Sequence, residues 1–244
     1  MNIRKFSTLA VVLFCLFGCN PGNDDDISQR EADQLFASAK RDIANQSYES
    51  AIKSLENIQI NYPQYAEYDH LLYLLAKSQY AHKDYLEAQN NAHEFINSNP
   101  ATKNTEEMMF VEAMSQFLLN DNWLEGRLLS PRHLRDTAYI EKSKDNFVHF
   151  KKQYPKSKYI PQVNKALAQT KEILANSELE IAKYDYNHKA YLGAIHRAET
   201  VIKEFPNTPQ YHEALKVMDN SFYKLGLTQE YNELKRKIER NAKA

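Results

Sequence analysis

The chain has 244 residues, 43% hydrophobic and 26% charged, which is enough apolar sequence for one or two buried cores. Its formal charge of −1 lacks the surplus of Lys and Arg that binding along a nucleic-acid backbone requires. Five glycines are too few for a turn-rich β fold or a glycine-rich phosphate loop. Both cysteines, Cys15 and Cys19, lie near the N-terminus, so neither a disulfide nor a cysteine–metal cluster ties the body together.

Residues 1–18 read as an export signal. Arg4 and Lys5 supply the positive region, and Leu9–Phe17 form a nine-residue apolar run. That run falls short of the roughly 20 residues that span a bilayer and fits a signal core. It ends in Leu16-Phe17-Gly18-Cys19, which resembles the bacterial lipobox, with Phe17 where a small or branched residue is usual. The resemblance implies a covalent diacylglycerol and an N-acyl lipid on Cys19, and no other cofactor is expected. Each buried methylene of such chains contributes about 0.8 kcal/mol, so three chains make a lasting anchor. Asn20 follows the cysteine. The absence of Asp there implies sorting to the outer membrane. Residues 19–31 read as the lipidated cysteine and a flexible tether, with Asp24, Asp25 and Asp26 solvated rather than metal-binding.

From Ala32 the apolar residues take helical spacing: Ala32, Leu35, Phe36, Ala39 and Ile43, then a polar break at 45–47, then Tyr48, Ala51, Ile52, Leu55 and Ile58. Tyr62-Pro63 ends this unit, since proline cannot continue a helix and disfavours helical geometry in the residue before it. The unit recurs. In three copies a small residue of the first helix (Ala39, Ala76, Ala182) precedes one of the second (Ala51, Ala88, Ala194) by twelve residues. A proline (Pro63, Pro100, Pro206) follows twelve residues later. Small residues at this spacing mark the tetratricopeptide repeat, whose period is 34 residues.

The middle unit is stretched. Met109, Phe110, Ala113 and Phe117 mark its first helix, and Phe147 and Phe150 before Tyr154-Pro155 mark its second. Residues 120–137 between them, with Trp123, Gly126, Leu128, Leu129 and Pro131, read as an inserted loop. A long helix is expected from about Tyr159 to Asp185, and a last pair over 209–225 and 228–242. The expected fold is therefore all-α: a tetratricopeptide-repeat solenoid of about five helix pairs, ten helices, over residues 32–242. Its N-terminal lobe covers about 32–120 and its C-terminal lobe about 138–242, and the array offers a concave binding surface.

Tyr154-Pro155-Lys156-Ser157-Lys158-Tyr159 resembles the Tyr-Pro-x-Ser-x-Tyr element of the BamD family. Residues 174–209 resemble that family's run of Leu-Ala, Ile-Ala-x-Tyr, Ala-Tyr-x-x-Ala-x-x-Arg-Ala and Phe-Pro-x-Thr-Pro, and Arg135-Asp136 matches a feature of its insertion. With the lipobox, the resemblance extends over nearly the whole chain. It implies an outer-membrane lipoprotein on the periplasmic face. Such a protein binds the periplasmic domains of a BamA-like barrel, other Bam lipoproteins and unfolded outer-membrane proteins. Arg197 matches the family arginine implicated in docking the barrel, with His196 and Glu199 beside it. Tyr62 matches the aromatic of the first Tyr-Pro turn, near the substrate pocket. The sequence then departs from the family, carrying Gln64-Tyr65-Ala66-Glu67-Tyr68 where an aromatic-Gly element is usual.

Tyr62, Tyr65, Tyr68, Tyr73 and Tyr80 crowd that first turn. Tyrosine combines a broad apolar face with a hydroxyl, which suits capture of an extended peptide, and it equally suits the filling of helix-pair interfaces. No His-Glu-x-x-His and no nucleophile-elbow motif occurs, and the eight histidines are scattered. The function read from this is a scaffold without catalysis. Another periplasmic repeat adaptor, pilotin-like or peptidoglycan-linked, stands as the alternative.

Overall fold

Among the described residues the chain forms nine α-helices: α1 (Gly22–Ala44), α2 (Tyr48–Asn61), α3 (Tyr68–His82), α4 (Tyr85–Ser98), α5 (Thr105–Leu118), α6 (Ala138–Gln153), α7 (Ile160–Asn187), α8 (Tyr191–Glu204) and α9 (Tyr211–Leu225). The computed structural model describes residues 22–119 and 137–227, with positions 229, 231, 232, 235 and 236, the side chains of 22–27 excepted. Cys19 and the signal sequence, nearly all of the insertion with Trp123 and Arg135-Asp136, and most of the tenth helix expected at 228–242 lie outside the described residues.

Two kinds of turn separate the helices, and the sequence dictates both. After α2, α4, α6 and α8 the capping residue precedes a proline: Tyr62, Asn99, Tyr154 and Phe205. Their φ values are −130°, −133°, −126° and −130°, and each still donates its N–H to the carbonyl four residues back. The proline ring excludes helical ψ at these residues, so the four turns share one shape. After α1, α3, α7 and α9 the chain turns through a left-handed residue instead: Gln46 (φ 60°), Lys83 (74°), Lys189 (64°) and Gly226 (74°). At Lys83 the amide bonds to the Tyr80 carbonyl and the next amide, Asp84, to that of Gln79, the paired bonds that close a helix C-terminus. The same pair recurs at Gln46, Lys189 and Gly226.

Between these turns the paired helices close on their alanines. Ala39, Ala51, Ala76, Ala88, Ala182 and Ala194 are all 0% exposed, and the larger residues around them fill the space that methyl groups leave. Each helix packs on the next along the chain, and α3–α5, α5–α7 and α7–α9 also touch. The helices that open each pair thus line one side of a tetratricopeptide-like solenoid. Tyr231 lies five residues beyond Gly226, where the other pairs have their second alanine after the left-handed turn, and it is buried, as a fifth pair requires.

The buried apolar residues form two clusters. One runs from Ala32 to Leu167 and includes Phe36, Leu55, Leu72, Phe147 and Phe150; the other gathers Ile140 with Leu174–Tyr231. Helix α7 belongs to both: Val163, Ala166 and Leu167 pack in the first, and Leu174, Ala175, Leu179 and Ala182 in the second. At 28 residues it is about 42 Å long, the spine on which the two halves meet. It runs from Ile160 to Asn187, close to the expected span.

One boundary differs. Helix α1 begins at Gly22, ten residues before its first core residue, Ala32, so residues 22–31 are helix rather than linker. An apolar stripe could not reveal this extension, because Ser28, Gln29, Arg30 and Glu31 are polar. Polar contacts reveal it: Gln29 bonds to Asp33, and Glu31 accepts a bond from Tyr62.

Candidate interaction surface

The first inter-repeat turn carries its tyrosines as expected, but not in one role. Tyr65 is 4% exposed and belongs to the core, packed edge-on against Phe36 with its hydroxyl donating to Asp33 Oδ1 at 3.1 Å. Tyr62, Tyr68, Tyr73 and Tyr80 are half-buried, each with one face on the core. The Tyr62 hydroxyl donates to Glu31 Oε2 at 2.8 Å and that of Tyr68 to Glu94 Oε1 at 3.3 Å. Tyr80 sits between Tyr85 and Phe110. Tyr65 is therefore a core residue, while Tyr62, Tyr68, Tyr73 and Tyr80 keep part of their surface open to solvent.

Tyr73 is the best-connected of them. Its hydroxyl donates to Glu107 Oε2 on α5, while Lys77 Nζ reaches the same hydroxyl at 3.0 Å and Glu107 Oε1 at 3.2 Å. Burial pushes the Tyr73 phenol above its usual range, and its bond to Glu107 pushes in the same direction. At Glu107 burial acts to raise the carboxyl, but the Tyr73 hydroxyl and Lys77 outweigh it and hold the group below the usual carboxylate range. The network is thus anionic at Glu107, cationic at Lys77 and neutral at Tyr73 around pH 7.

Around these hydroxyls runs a chain of rings the sequence did not announce. Phe36 meets His70 at 5.3 Å, His70 meets Tyr73 at 6.3 Å and Tyr73 meets Phe95 at 6.1 Å. Farther along, a second run joins Tyr80, Phe110 and Phe150, and Tyr159 stacks on Phe110 at 4.1 Å. The acceptors of the tyrosines were also missed. A signal for them existed: Tyr62–Glu31, Tyr65–Asp33 and Tyr73–Glu107 lie 31, 32 and 34 residues apart, about one repeat.

In the second half, Arg197 projects from α8 to α7, where its Nη1 bonds both oxygens of Glu178 at 3.0 and 3.2 Å. The Arg197 side chain is 42% exposed, with Nη1 held by Glu178. His196 is exposed one residue earlier. Glu199 pairs with Lys203 at 2.6 Å, along the same helix. The structure thus brings Arg197 together with Glu178, which the sequence reading did not single out, while Glu199 has its own cation. Asp185 of α7 also rests against Gly193 of α8, where an added Cβ would come within 2.8 Å of its carboxylate oxygen.

Among the described residues no three His, Cys, Asp or Glu side chains gather as a metal site. None of the described helices is long and apolar enough to cross a membrane.

A family model, YfiO, described as an outer membrane lipoprotein, matches residues 28–237, which takes in the stack from α1 to beyond α9. This chain belongs to that family. Among curated relatives, a protein of Pasteurella multocida is 24% identical over 226 residues, 93% of this chain and 86% of its own length. One of Haemophilus influenzae is 24% identical over 241 residues, 98% of this chain and 92% of its own. One of Vibrio cholerae is 22% identical over 239 residues, 97% and 99% respectively. All three bear the name outer membrane protein assembly factor BamD. The family resemblance read from residues 154–159 and 174–209 therefore holds along the chain.

Proposed function

We propose that this protein is a non-enzymatic scaffold of outer-membrane protein assembly, held to the periplasmic face by lipid on Cys19. Two surfaces act. The Arg197 face, with His196 and Glu199 along α8, docks the periplasmic domains of a BamA-like barrel, and other lipoproteins of the assembly join the same solenoid. The half-buried rings of Tyr62, Tyr68 and Tyr73 receive extended segments of unfolded outer-membrane proteins. The observation that carries this reading is the family match over residues 28–237, supported by relatives named for assembly that align over nearly their full length.

The geometry supports the division of labour. Glu178 fixes one edge of the Arg197 guanidinium, so a partner carboxylate meets a donor fork already oriented and loses less rotamer freedom on binding. The tyrosines have their hydroxyls tied and their rings partly open, which makes them rigid apolar anchors.

A mild-detergent pull-down of the full chain with mass spectrometry tests the assignment: a barrel bearing periplasmic repeat domains should dominate the eluate. Arg197→Ala should reduce that recovery about tenfold, as loss of a charge-assisted contact of roughly 1.4 kcal/mol implies. Its circular-dichroism melt should shift little. Undiminished recovery of the barrel by the Arg197→Ala protein would remove that residue from the docking face, and an eluate without any barrel would remove the function.

A further inference from the structure

A groove of about 590 Å³ opens between the start of α5 and the turn from α6 to α7. Its volume falls in the range of ligand sites, and it opens widely to solvent. Tyr154, Pro155 and Tyr159 form one wall, and Glu106 and Glu107 form part of the other. Lys103, Lys156 and Lys158 stand at its rim, all exposed.

The charges in this groove do not cancel. Glu106 sets one carboxylate against the three lysines, while Glu107 is already taken by Lys77 and Tyr73 behind it. Among the described residues no carboxylate comes within 4.0 Å of Lys103, Lys156 or Lys158, although most carboxylates elsewhere on these helices have found a cation or a hydroxyl. Lys158 leans instead over the Tyr159 ring, 4.8 Å from its centre. The surrounding sequence has the same bias. Residues 138–165 carry seven lysines against two carboxylates, Glu141 and Asp145, in a chain whose net charge is −1. Two of those lysines, Lys156 and Lys158, lie at the cleft itself, where Lys103 of the facing segment joins them.

We propose that this groove binds an extended acidic segment of a partner polypeptide, its carboxylates on Lys103, Lys156 and Lys158 and its apolar or aromatic side chains on Tyr154 and Pro155. A polypeptide fits better than a membrane surface, because the lysines surround a cleft with the apolar surface of Tyr154 and Pro155 inside it, whereas a lipid surface engages cations on a convex or flat face. The site is separate from Arg197 and can be read without the barrel partner.

The test uses the full chain in mild detergent and fluorescence anisotropy of a labelled peptide repeating Glu-Gly-Tyr. Binding should weaken steeply with added salt, and a peptide repeating Lys-Gly-Tyr should not bind. Lys103→Glu, Lys156→Glu and Lys158→Glu together should weaken the acidic peptide at least about tenfold, roughly 1.4 kcal/mol. The same charge change placed outside the groove, at the exposed Lys142, Lys165 and Lys171, should weaken it far less. Equal loss from both triple variants would show diffuse attraction and overturn the site. So would failure of the acidic peptide to bind. Capture of phosphatidylglycerol vesicles through the groove lysines in preference to the peptide would overturn it in favour of a membrane-facing surface.

Discussion

Glu107 shows what a single residue does in this fold. It lies at the start of α5, yet it holds α3 to α5 by accepting from Tyr73 and Lys77. Its carboxyl is held below the ordinary value of 4.5, so its stabilising effect is complete above that pH and is lost as pH falls through the lowered folded value. Lys77 behaves in the mirror sense. Burial acts to lower its ammonium, but Tyr73 and Glu107 more than offset this and raise it above 10.5, so its contribution persists below that pH and is lost on the alkaline side. Glu107→Gln should therefore lower the melting temperature at pH 7 and cost about 1.5 kcal/mol, the low end for hydrogen bonds to charged groups, because Lys77 is partly solvated. The gap between variant and parent should close as pH falls below 4.5. Melts of the two proteins that stay parallel across that range would dispose of the linkage. The sequence exposed half of this contact. A cluster of tyrosines at one turn was visible, but their acceptors lie a repeat away, and only the stacked solenoid brings positions 73 and 107 together. The place of Tyr65 was open in the sequence for the same reason: whether a ring at a turn faces solvent or Phe36 depends on how the preceding pair sits, which period and spacing do not reveal.

At the scale of the element, the turns were the most legible part. Proline and alanine spacing fixed where helices end and where they touch, because both effects are steric and local. The left-handed turns were less legible, since three of the four use Gln or Lys rather than Gly. A side chain in that conformation crowds the following carbonyl at a cost of about 1 kcal/mol, partly balanced by the larger entropy glycine would lose on folding. Lys189→Gly should accordingly stabilise the protein by about 0.5 kcal/mol. Gly226→Ala provides the converse. Nothing lies within 4 Å of an added Cβ there, so its cost is backbone strain less the entropy glycine loses on folding, about 0.5 kcal/mol. Thermal or urea denaturation of both variants reads the pair; a stabilised Gly226→Ala protein would show that the turn relaxes and that the shared geometry does not hold the helix ends. Gly193→Ala should be mild by comparison, because the atom it approaches is the mobile end of Asp185.

For the whole molecule the governing fact is that α7 serves two cores. A repeat array gains its stability from contacts between neighbours, so a weak link divides it into blocks that unfold separately. Here the blocks are already distinct, Ala32–Leu167 on one side and the cluster from Leu174 to Tyr231 on the other, with Ile140 of α6 joining the second. Thr170 sits at the junction, fully buried, its hydroxyl bonded to the Ala166 carbonyl at 2.8 Å. Thr170→Pro would remove the backbone amide there and drive the ring into the same carbonyl, costing roughly 3 kcal/mol or more within the helix. Because neither core loses its own apolar residues, each should stay folded while the cooperativity between them falls. Hydrogen exchange should then show protection in α2–α4 and in α8–α9 collapsing at different denaturant concentrations, where the parent protein loses both together. The same variant separates the two proposed surfaces: the tyrosine turn and Arg197 lie in different blocks, so each should keep its own ligand while their relative placement is lost. If exchange in both blocks rose together as the variant unfolded, the array would be a single cooperative unit and α7 merely one helix among the others.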